Sequence, residues 1–374
     1  MEPSIYSYSL CIALPLMLFF GFYFLLAPTS EKAIFNNYLR SRRIMGVAIL
    51  LLAANYSVHF FFGIRFKNTD AAILMNLSTY FLCYWLFSSA LTTLLDRFYI
   101  TKRRLRTHIC LWILFSILSG IVLLLLPKGD LQTTVMFALA AWLVIYGLFL
   151  TRRLLRAYHR VIRIFDDTRA DDIGAYIKWL SIFTYWAVTF GVGCGLLTFL
   201  PDEYVYIWIL SSVPFYIYLF LCYLNYLLFY EQVENAMEDG MTSEEEDLCD
   251  TTNREQAQRQ DTPFFHAEIA KKIKGCIDAD GYIRPGLTIK ELSDVLHTNR
   301  TYLSGYIKTT YDMSFRDWII GLRIEYAKRL LARYPRLTVA DISEKSGFLS
   351  PSHFIRLFKE NAGCTPKWRK TEAE

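Results

Sequence analysis

Long apolar runs alternate with short polar clusters over the first 230 residues of the chain. There are seven runs, and they cover residues 5–27, 44–64, 72–95, 108–126, 131–150, 176–200 and 205–230. Their length suits a helix that crosses a bilayer, which needs roughly 20 apolar residues. Backbone groups in lipid must form hydrogen bonds within their own segment, so the runs are predicted to be helices. Residues 1–230 are therefore predicted to form a seven-helix transmembrane domain.

The basic residues of the short loops indicate how these helices are oriented. Loops 28–43, 97–107 and 151–175 together carry 15 Lys and Arg residues, whereas the three alternating loops carry 3. Because loops rich in Lys and Arg stay on the cytoplasmic side, the N-terminus is predicted to lie outside and the C-terminus in the cytoplasm. The predicted location is the inner (cytoplasmic) membrane. The first run is too long for a cleaved signal peptide, and no positive charge precedes it.

Few polar groups lie inside the runs. Ion-coupled transporters usually need intramembrane ionisable residues, and only His59 lies well inside a run, which disfavours that function. Four polar residues are interpreted as hydrogen-bonding partners between helices: His59, Asn55, Asn76 and Asn225. Gly191 and Gly195 form a small-residue pair, which favours either close packing within the bundle or a dimer face.

Tyrosine is frequent in the seventh run. Tyr216, Tyr218 and Tyr223 lie away from the ends of this run, where aromatic residues usually mark the membrane interface. Two interpretations stay open for these three side chains: ordinary packing, or a pocket for a membrane-soluble ligand. The loops predicted to lie outside are too short to fold a ligand-binding domain, so a signal would enter within the bilayer or through a partner protein.

Charge separates the rest of the chain into two regions. Residues 231–261 hold 11 acidic and 2 basic residues, whereas residues 264–374 hold 19 basic and 13 acidic residues. The last apolar helix is predicted to continue past Tyr230 and to stop at Asp239-Gly240. Residues 231–263 are then an extended, self-repelling cytoplasmic linker, and residues 264–374 a separate basic domain.

A repeat within the basic domain predicts its architecture. Residues 287–293 (LTIKELS) return as residues 337–343 (LTVADIS), with Thr as the predicted N-cap and an acidic residue three positions later. A turn and a second short helix follow each copy, at about 299–310 and 351–361. Ser350 is predicted to cap the latter helix, with Pro351 at its first position. A connecting helix over 315–333 carries an apolar stripe of period 3.6, so the whole fold is predicted to be all-α with two helix-turn-helix units.

Five stretches of this region resemble the AraC-type DNA-binding domain. They are residues 298–304 (TNRTYLS), 323–331 (RIEYAKRLL), 347–350 (GFLS), 354–359 (FIRLFK) and 363–366 (GCTP). The resemblance covers about residues 266–370, under a third of the chain, and it implies a bacterial transcription regulator. It also implies that the second helix of each unit enters the major groove of double-stranded DNA, a geometry in which short polar side chains reach base edges while Lys and Arg contact phosphates.

The resemblance places the DNA-facing residues by position. In the first unit they are Arg300, Thr301, Ser304, Gly305 and Lys308. In the second unit they are Pro351, Ser352, His353, Arg356 and Lys359. Gly305 departs from the family pattern, which often has a large polar residue there, so this unit lacks one base-reading side chain.

The expected function is a membrane-anchored, sequence-specific transcription regulator whose membrane part senses a signal or only tethers. The alternative is a membrane small-molecule receptor or carrier in which the DNA-binding domain is secondary. Further candidate partners are RNA polymerase and a second copy of the chain. The sequence holds no recognisable catalytic constellation and no Cys-x-x-Cys pair, so no enzyme activity, metal or cofactor is predicted.

The topology is open to a direct test. Reporter fusions after Lys128 and after Glu374 should report opposite sides of the membrane, because an odd number of predicted spans separates each outside loop from the C-terminus. Activity of alkaline phosphatase and of green fluorescent protein at each position measures this. The same side for both fusions would contradict the seven-span arrangement.

Overall fold

The chain is helical throughout the part that the computed structural model describes. Residues 5–29, 32–170, 174–199, 202–249, 263–334 and 336–366 are described, and they contain no β-strand. They form two compact units. One joins Met1–Arg160 with Ile177–Glu231, and the other joins Val161–Tyr176 with Gln232–Glu374. The sequence assigned residues 161–175 to a loop of the membrane part, whereas Val161–Tyr176 here group with the second compact unit.

The long apolar helices lie in the first part of the chain. In order they are α1 (Ile5–Leu26), α2 (Asn36–Phe62), the short α3 (Ile64–Lys67), α4 (Thr69–Leu95), α5 (Lys102–Leu125), α6 (Asp130–Thr168), α7 (Gly174–Leu197) and α8 (Asp202–Cys249). Among the described residues, six helices are long and apolar enough to cross a membrane. Helix α7 matches the sixth apolar run, but several of its side chains lie outside the described set, so the count of seven spans stays a prediction.

Helix α8 does not end where the sequence predicted. It continues through Asp239-Gly240 to Cys249. A glycine inside a helix costs about 1 kcal/mol relative to alanine but keeps its backbone donor, and the glutamates that follow are good helix formers. The first part of the predicted linker is therefore helical, and residues 250–262 lie outside the described residues.

A polar network joins α1, α2 and α4 of the first compact unit to Thr198, the residue after α7. His59 on α2 lies with its Nδ1 3.1 Å from the Tyr6 hydroxyl and its Nε2 2.8 Å from the Asn76 side-chain oxygen Oδ1. Asn55 also donates to Asn76, and Asn76 donates to Thr198 at 3.2 Å. Polar groups left without a hydrogen-bonding partner would be costly in an apolar bundle, and these bonds supply the partners. The interhelical role of His59, Asn55 and Asn76 is therefore confirmed. Asn225, by contrast, is exposed, and that interpretation was wrong for it.

The described residues from 263 onward form six further α-helices of the second compact unit. They are α9 (Pro263–Asp278), α10 (Ile289–Val295), α11 (Arg300–Tyr311), α12 (Phe315–Arg333), α13 (Val339–Lys345) and α14 (Pro351–Ala362). Helix α12 has the bounds predicted from its apolar stripe. It takes part in two apolar clusters. Phe315, Trp318 and Ile319 join the cluster of α9, α10 and α11, whereas Ile320 and Ile324 join that of α13 and α14.

Two close contacts hold the halves of this unit together. Arg323 on α12 is fully buried, and its guanidinium donates to the backbone oxygens of Tyr282 at 3.0 Å and Arg284 at 2.7 Å. The same guanidinium lies 5.9 Å from the ring centre of Phe348, which belongs to the second cluster. Gly347 has a positive φ of 81°, and a Cβ there would lie 2.1 Å from the Ile283 oxygen. Only glycine allows this approach.

Replacing Gly347 by alanine should destabilise the second unit by about 1–3 kcal/mol, because the added methyl group overlaps the Ile283 backbone. Hydrogen exchange of peptides from residues 337–362 in the full chain, followed against urea, measures this loss. Gly321→Ala is the matched control, since nothing lies within 4 Å of a Cβ at that helical position, and it should raise stability by up to about 1 kcal/mol. Equal urea midpoints for the two variants would contradict the contact.

Candidate nucleic-acid interface

Each of the two short helices, α10 and α13, begins with a reciprocal cap. Thr288 accepts a hydrogen bond from the amide of Glu291 at 3.1 Å, and Glu291 accepts one from the amide of Thr288 at 3.0 Å. Thr338 and Asp341 make the same pair of bonds at 3.1 and 2.9 Å. Hydrogen bonds from Thr338 lower the pKa of Asp341 below its usual range. Both predicted capping boxes are confirmed, and they fix where α10 and α13 begin.

Helix α11 presents the predicted DNA-facing residues of the first helix-turn-helix unit on one side. The amide of Thr301 donates to the Asn299 side chain at 2.7 Å, which caps the helix. Thr301, Gly305 and Lys308 are exposed, and Arg300 and Ser304 are half-buried. The opposite side is buried in the first cluster through Leu303, Tyr306 and Ile307. Positions four residues apart share one helix face, so the structure brings this set together along the outer face.

Helix α14 likewise presents the predicted DNA-facing residues of the second helix-turn-helix unit on its outer side. Pro351, Ser352, Arg356 and Lys359 are exposed, and His353 is half-buried. The His353 ring stands edge-on to Phe348, with 6.3 Å between ring centres, so this histidine also packs against the second cluster. Arg356 lies 3.7 Å from Glu360, an exposed pair of the kind that contributes little stability.

The two predictions for the start of α14 have different outcomes. Pro351 occupies the first helical position as expected, because its fixed φ suits a helix start and its missing donor is not needed there. Ser350 occupies the N-cap position, but its side chain makes no capping hydrogen bond. The helix start therefore depends on Pro351 and on burial of Phe354, Leu357 and Phe358 rather than on a serine cap.

The arrangement suits contact with a polyanion. Each outer face combines small or polar side chains in its first turn with cations further along: Lys308 on α11, Arg356 and Lys359 on α14. An α-helix fits the major groove of B-DNA, where such polar groups can reach base edges. Sequence reasoning gave no role to Arg323, although it lies in one of the quoted stretches. A buried arginine next to backbone carbonyl groups shows up only in the folded structure.

The three tyrosines of the seventh run do not share one pocket. A cavity of about 130 Å³ lies within the first compact unit, among the long apolar helices, and Tyr216 lines it together with Tyr80 and Tyr84. Tyr223 is instead fully buried, with its hydroxyl 2.9 Å from that of Ser41. Tyr218 packs against Trp186 with 5.3 Å between ring centres. Residues two positions apart on a helix point to nearly opposite sides, which separates Tyr218 from Tyr216.

Residues 292–370 match the family described as a helix-turn-helix domain. The chain is 39% identical over 82 residues to the uncharacterized HTH-type transcriptional regulator YobQ of Bacillus subtilis, which is 22% of this chain and 33% of that protein. It is 40% identical over 58 residues to the virulence regulon transcriptional activator VirF of Yersinia enterocolitica, or 16% of this chain and 21% of VirF. The Msm operon regulatory protein of Streptococcus mutans is 29% identical over 85 residues, 22% of this chain and 30% of that protein.

The chain spans a third or less of the length of these relatives. The family match leaves residues 1–291 uncovered, and no solved structure matches the chain. The C-terminal region is therefore similar to an AraC-type helix-turn-helix domain of transcription regulators.

Gly305 offers a test of the DNA-facing assignment. Nothing lies within 4 Å of a Cβ at this position, so a larger side chain fits on the outer face. Gly305→Gln should add a base contact and strengthen discrimination at one base pair by about 1–3 kcal/mol. Selection of bound sequences from a random duplex pool measures this. Gly305→Ala, which gains only helix propensity, is the control, and unchanged base preferences in Gly305→Gln would show that this face does not read DNA.

Proposed function

We propose that this protein is a membrane-embedded, sequence-specific DNA-binding transcription regulator. The observation that carries the proposal is the pair of helices α11 and α14, each placed after a capped short helix and each with a polar, cationic outer face. The similarity to helix-turn-helix regulators in residues 292–370 supports it. Six long apolar helices support the membrane location, and the loop charges favour a cytoplasmic C-terminal domain.

The two helices would act in the same way on DNA. The first turn of α11 would bring Arg300, Thr301 and Ser304 to base edges, and that of α14 would do the same with Ser352 and Arg356. Lys308 and Lys359, further along, would contact phosphates. Phosphate contacts position a protein on the duplex, and base contacts specify sequence. The two helices should read segments one helical turn apart, about 10 to 10.5 base pairs, on one side of the duplex.

Arg356 and Lys359 separate base reading from phosphate binding. Arg356→Ala should cost about 1–3 kcal/mol of binding and relax the preference at one base position, because an arginine to guanine contact is directional. Lys359→Ala should weaken binding equally for all sequences and reduce the salt dependence by about one phosphate contact.

Binding of the full chain to selected and scrambled duplexes at several salt concentrations measures both effects. A uniform loss in Arg356→Ala would make that residue a phosphate contact. Absence of DNA binding at low salt by the wild-type chain would contradict the proposed function. A footprint confined to one segment would show that only one unit engages DNA.

The membrane part has two candidate roles, sensing and tethering. The cavity beside Tyr216 favours sensing, since an apolar ligand there could shift the protein by binding two states differently. It also keeps the second candidate function open, a membrane receptor or carrier in which DNA binding is secondary. Tyr216→Phe, compared with Tyr218→Phe outside the cavity, should alter target-gene response only if a ligand uses the Tyr216 hydroxyl.

Two further partners belong to the proposal. A regulator of this kind would act on RNA polymerase at a promoter, and a homodimer would place two such domains on one operator.

Gly191 packs against Tyr84, whose hydroxyl donates to the Gly191 oxygen. This contact accounts for one member of the predicted small-residue pair within the bundle, so that pair gives little support to a dimer face.

A further inference from the structure

A short segment from outside the C-terminal region is built into the first helix-turn-helix unit. Residues 161–170, the last turns of α6 and the two residues after it, belong to the second compact unit. Arg169 pairs with Thr288 in an antiparallel bridge, and the amide of Ala170 donates to the Leu287 oxygen at 3.0 Å. Ala170 is 1% exposed and belongs to the same apolar cluster as Leu287. The segment is therefore packed against the N-cap of α10.

An ion pair fixes the same segment to a second point of the unit. Asp166 accepts a hydrogen bond from the Arg316 guanidinium at 2.7 Å, and both side chains are largely shielded from solvent. Arg316 lies in the first turn of α12, immediately after the loop that follows α11. A shielded pair is screened less by salt than an exposed one. The segment thus reaches from α12 to the start of α10.

Asp167 lies between these two points in the sequence, within electrostatic range of the cations of α11. Burial raises the pKa of its carboxyl group, and the positive charges of Lys308, Arg163 and Arg300 oppose that rise. Arg300 and Lys308 are the two cations of the first unit's proposed DNA-binding face. A carboxylate and a DNA phosphate attract Arg and Lys by the same charge-assisted interactions. Asp167 therefore supplies, within the chain, the negative charge that DNA would otherwise bring.

We propose that residues 161–170 compete with DNA for the first helix-turn-helix unit. In the docked state, shown by the structure, Asp166 holds Arg316 and Asp167 offsets Arg300 and Lys308, so phosphate binding requires the segment to leave. The inference rests on the proposed function, since it concerns the same surface. Where docking and DNA exclude each other, the apparent affinity for DNA is lowered by the fraction of the chain that is undocked.

The origin of the segment gives the competition a regulatory meaning. Residues 161–168 continue helix α6, which begins at Asp130 and is one of the six helices apolar enough to span a membrane. A rotation of α6 about its own axis, or a shift along that axis, would move Asp166 and Asp167 directly. Helix α6 then gives a signal a route by which the membrane part influences DNA binding.

The test compares DNA binding by the full chain in nanodiscs of zwitterionic lipid. The probe is a pool of random-sequence 40-base-pair duplexes at low salt, because the competition concerns phosphate contacts. The isosteric double variant Asp166→Asn/Asp167→Asn should bind about five- to tenfold more tightly than the wild type, since the undocked fraction rises. The matched control Asp294→Asn/Glu344→Gln removes two negative charges from exposed positions on α10 and α13, away from residues 161–170 in the sequence, and should change Kd less than about twofold.

Hydrogen exchange gives a second, independent readout. The Ala170 amide should be protected in the free protein, because it donates to Leu287, and saturating DNA should accelerate its exchange. Equal Kd values for wild type and double variant, or a similar gain in the control, would overturn the inference. A weaker binding of Lys359→Ala in the same assay would then leave the proposed function standing. If no variant bound the duplex pool, the proposed function would fail first and the competition with it.

Discussion

The C-terminal region depends on a buried arginine in the middle of one helix. Arg323 places its guanidinium against two backbone oxygens of the segment before α10 and under the ring of Phe348. Removing it would leave buried carbonyl groups without donors, which costs about 1–3 kcal/mol each. The contact at Gly347 acts beside it, because the turn before α14 can approach Ile283 only without a side chain. Together these contacts join the two apolar clusters along α12.

This joint bears directly on DNA recognition. Two helices can read segments of one duplex only if the distance and angle between them are held. Helix α12 lies in both clusters, with Trp318 in the first and Ile324 in the second. A buried polar contact is well suited to fix such a geometry, because it tolerates fewer alternative packings than an apolar one. Arg323 is thus a positioning residue for the interface.

The docked segment, residues 161–170, gives the two helix-turn-helix units unequal surroundings. Ala170 and Asp166 bind the first unit at Leu287 and Arg316, whereas the outer face of α14 carries exposed Arg356 and Lys359. On this proposal the second helix-turn-helix unit engages DNA first, and the first unit follows when residues 161–170 are displaced. Gly305 fits this order, since it leaves the first helix-turn-helix unit without a base-reading side chain at that position.

Local signals account for what the sequence determined by itself. Apolar runs of membrane-spanning length, the Thr288 and Thr338 caps and the 3.6-residue stripe of α12 act through neighbours in the chain, so the helices in these regions and the bounds of α12 followed from them, whereas the end of α6 at Thr168 did not. The outer-face residues of α11 and α14 followed as well, because helical spacing and the family resemblance fix a face. The end of α8 did not, since a single Gly240 weighs less than the helix formers around it.

Only the tertiary structure decided which distant segments meet. Nothing in residues 161–170 marks them as neighbours of Leu287, because an amide-to-carbonyl bond can form between any two residues that the fold brings together. The same holds for Arg323, whose burial depends on backbone oxygens 41 and 39 positions away, and for Tyr218 and Tyr223, which packing turned away from the cavity beside Tyr216. Sequence patterns specify helices and their faces, whereas contacts between faces depend on the shape that packing gives the whole unit.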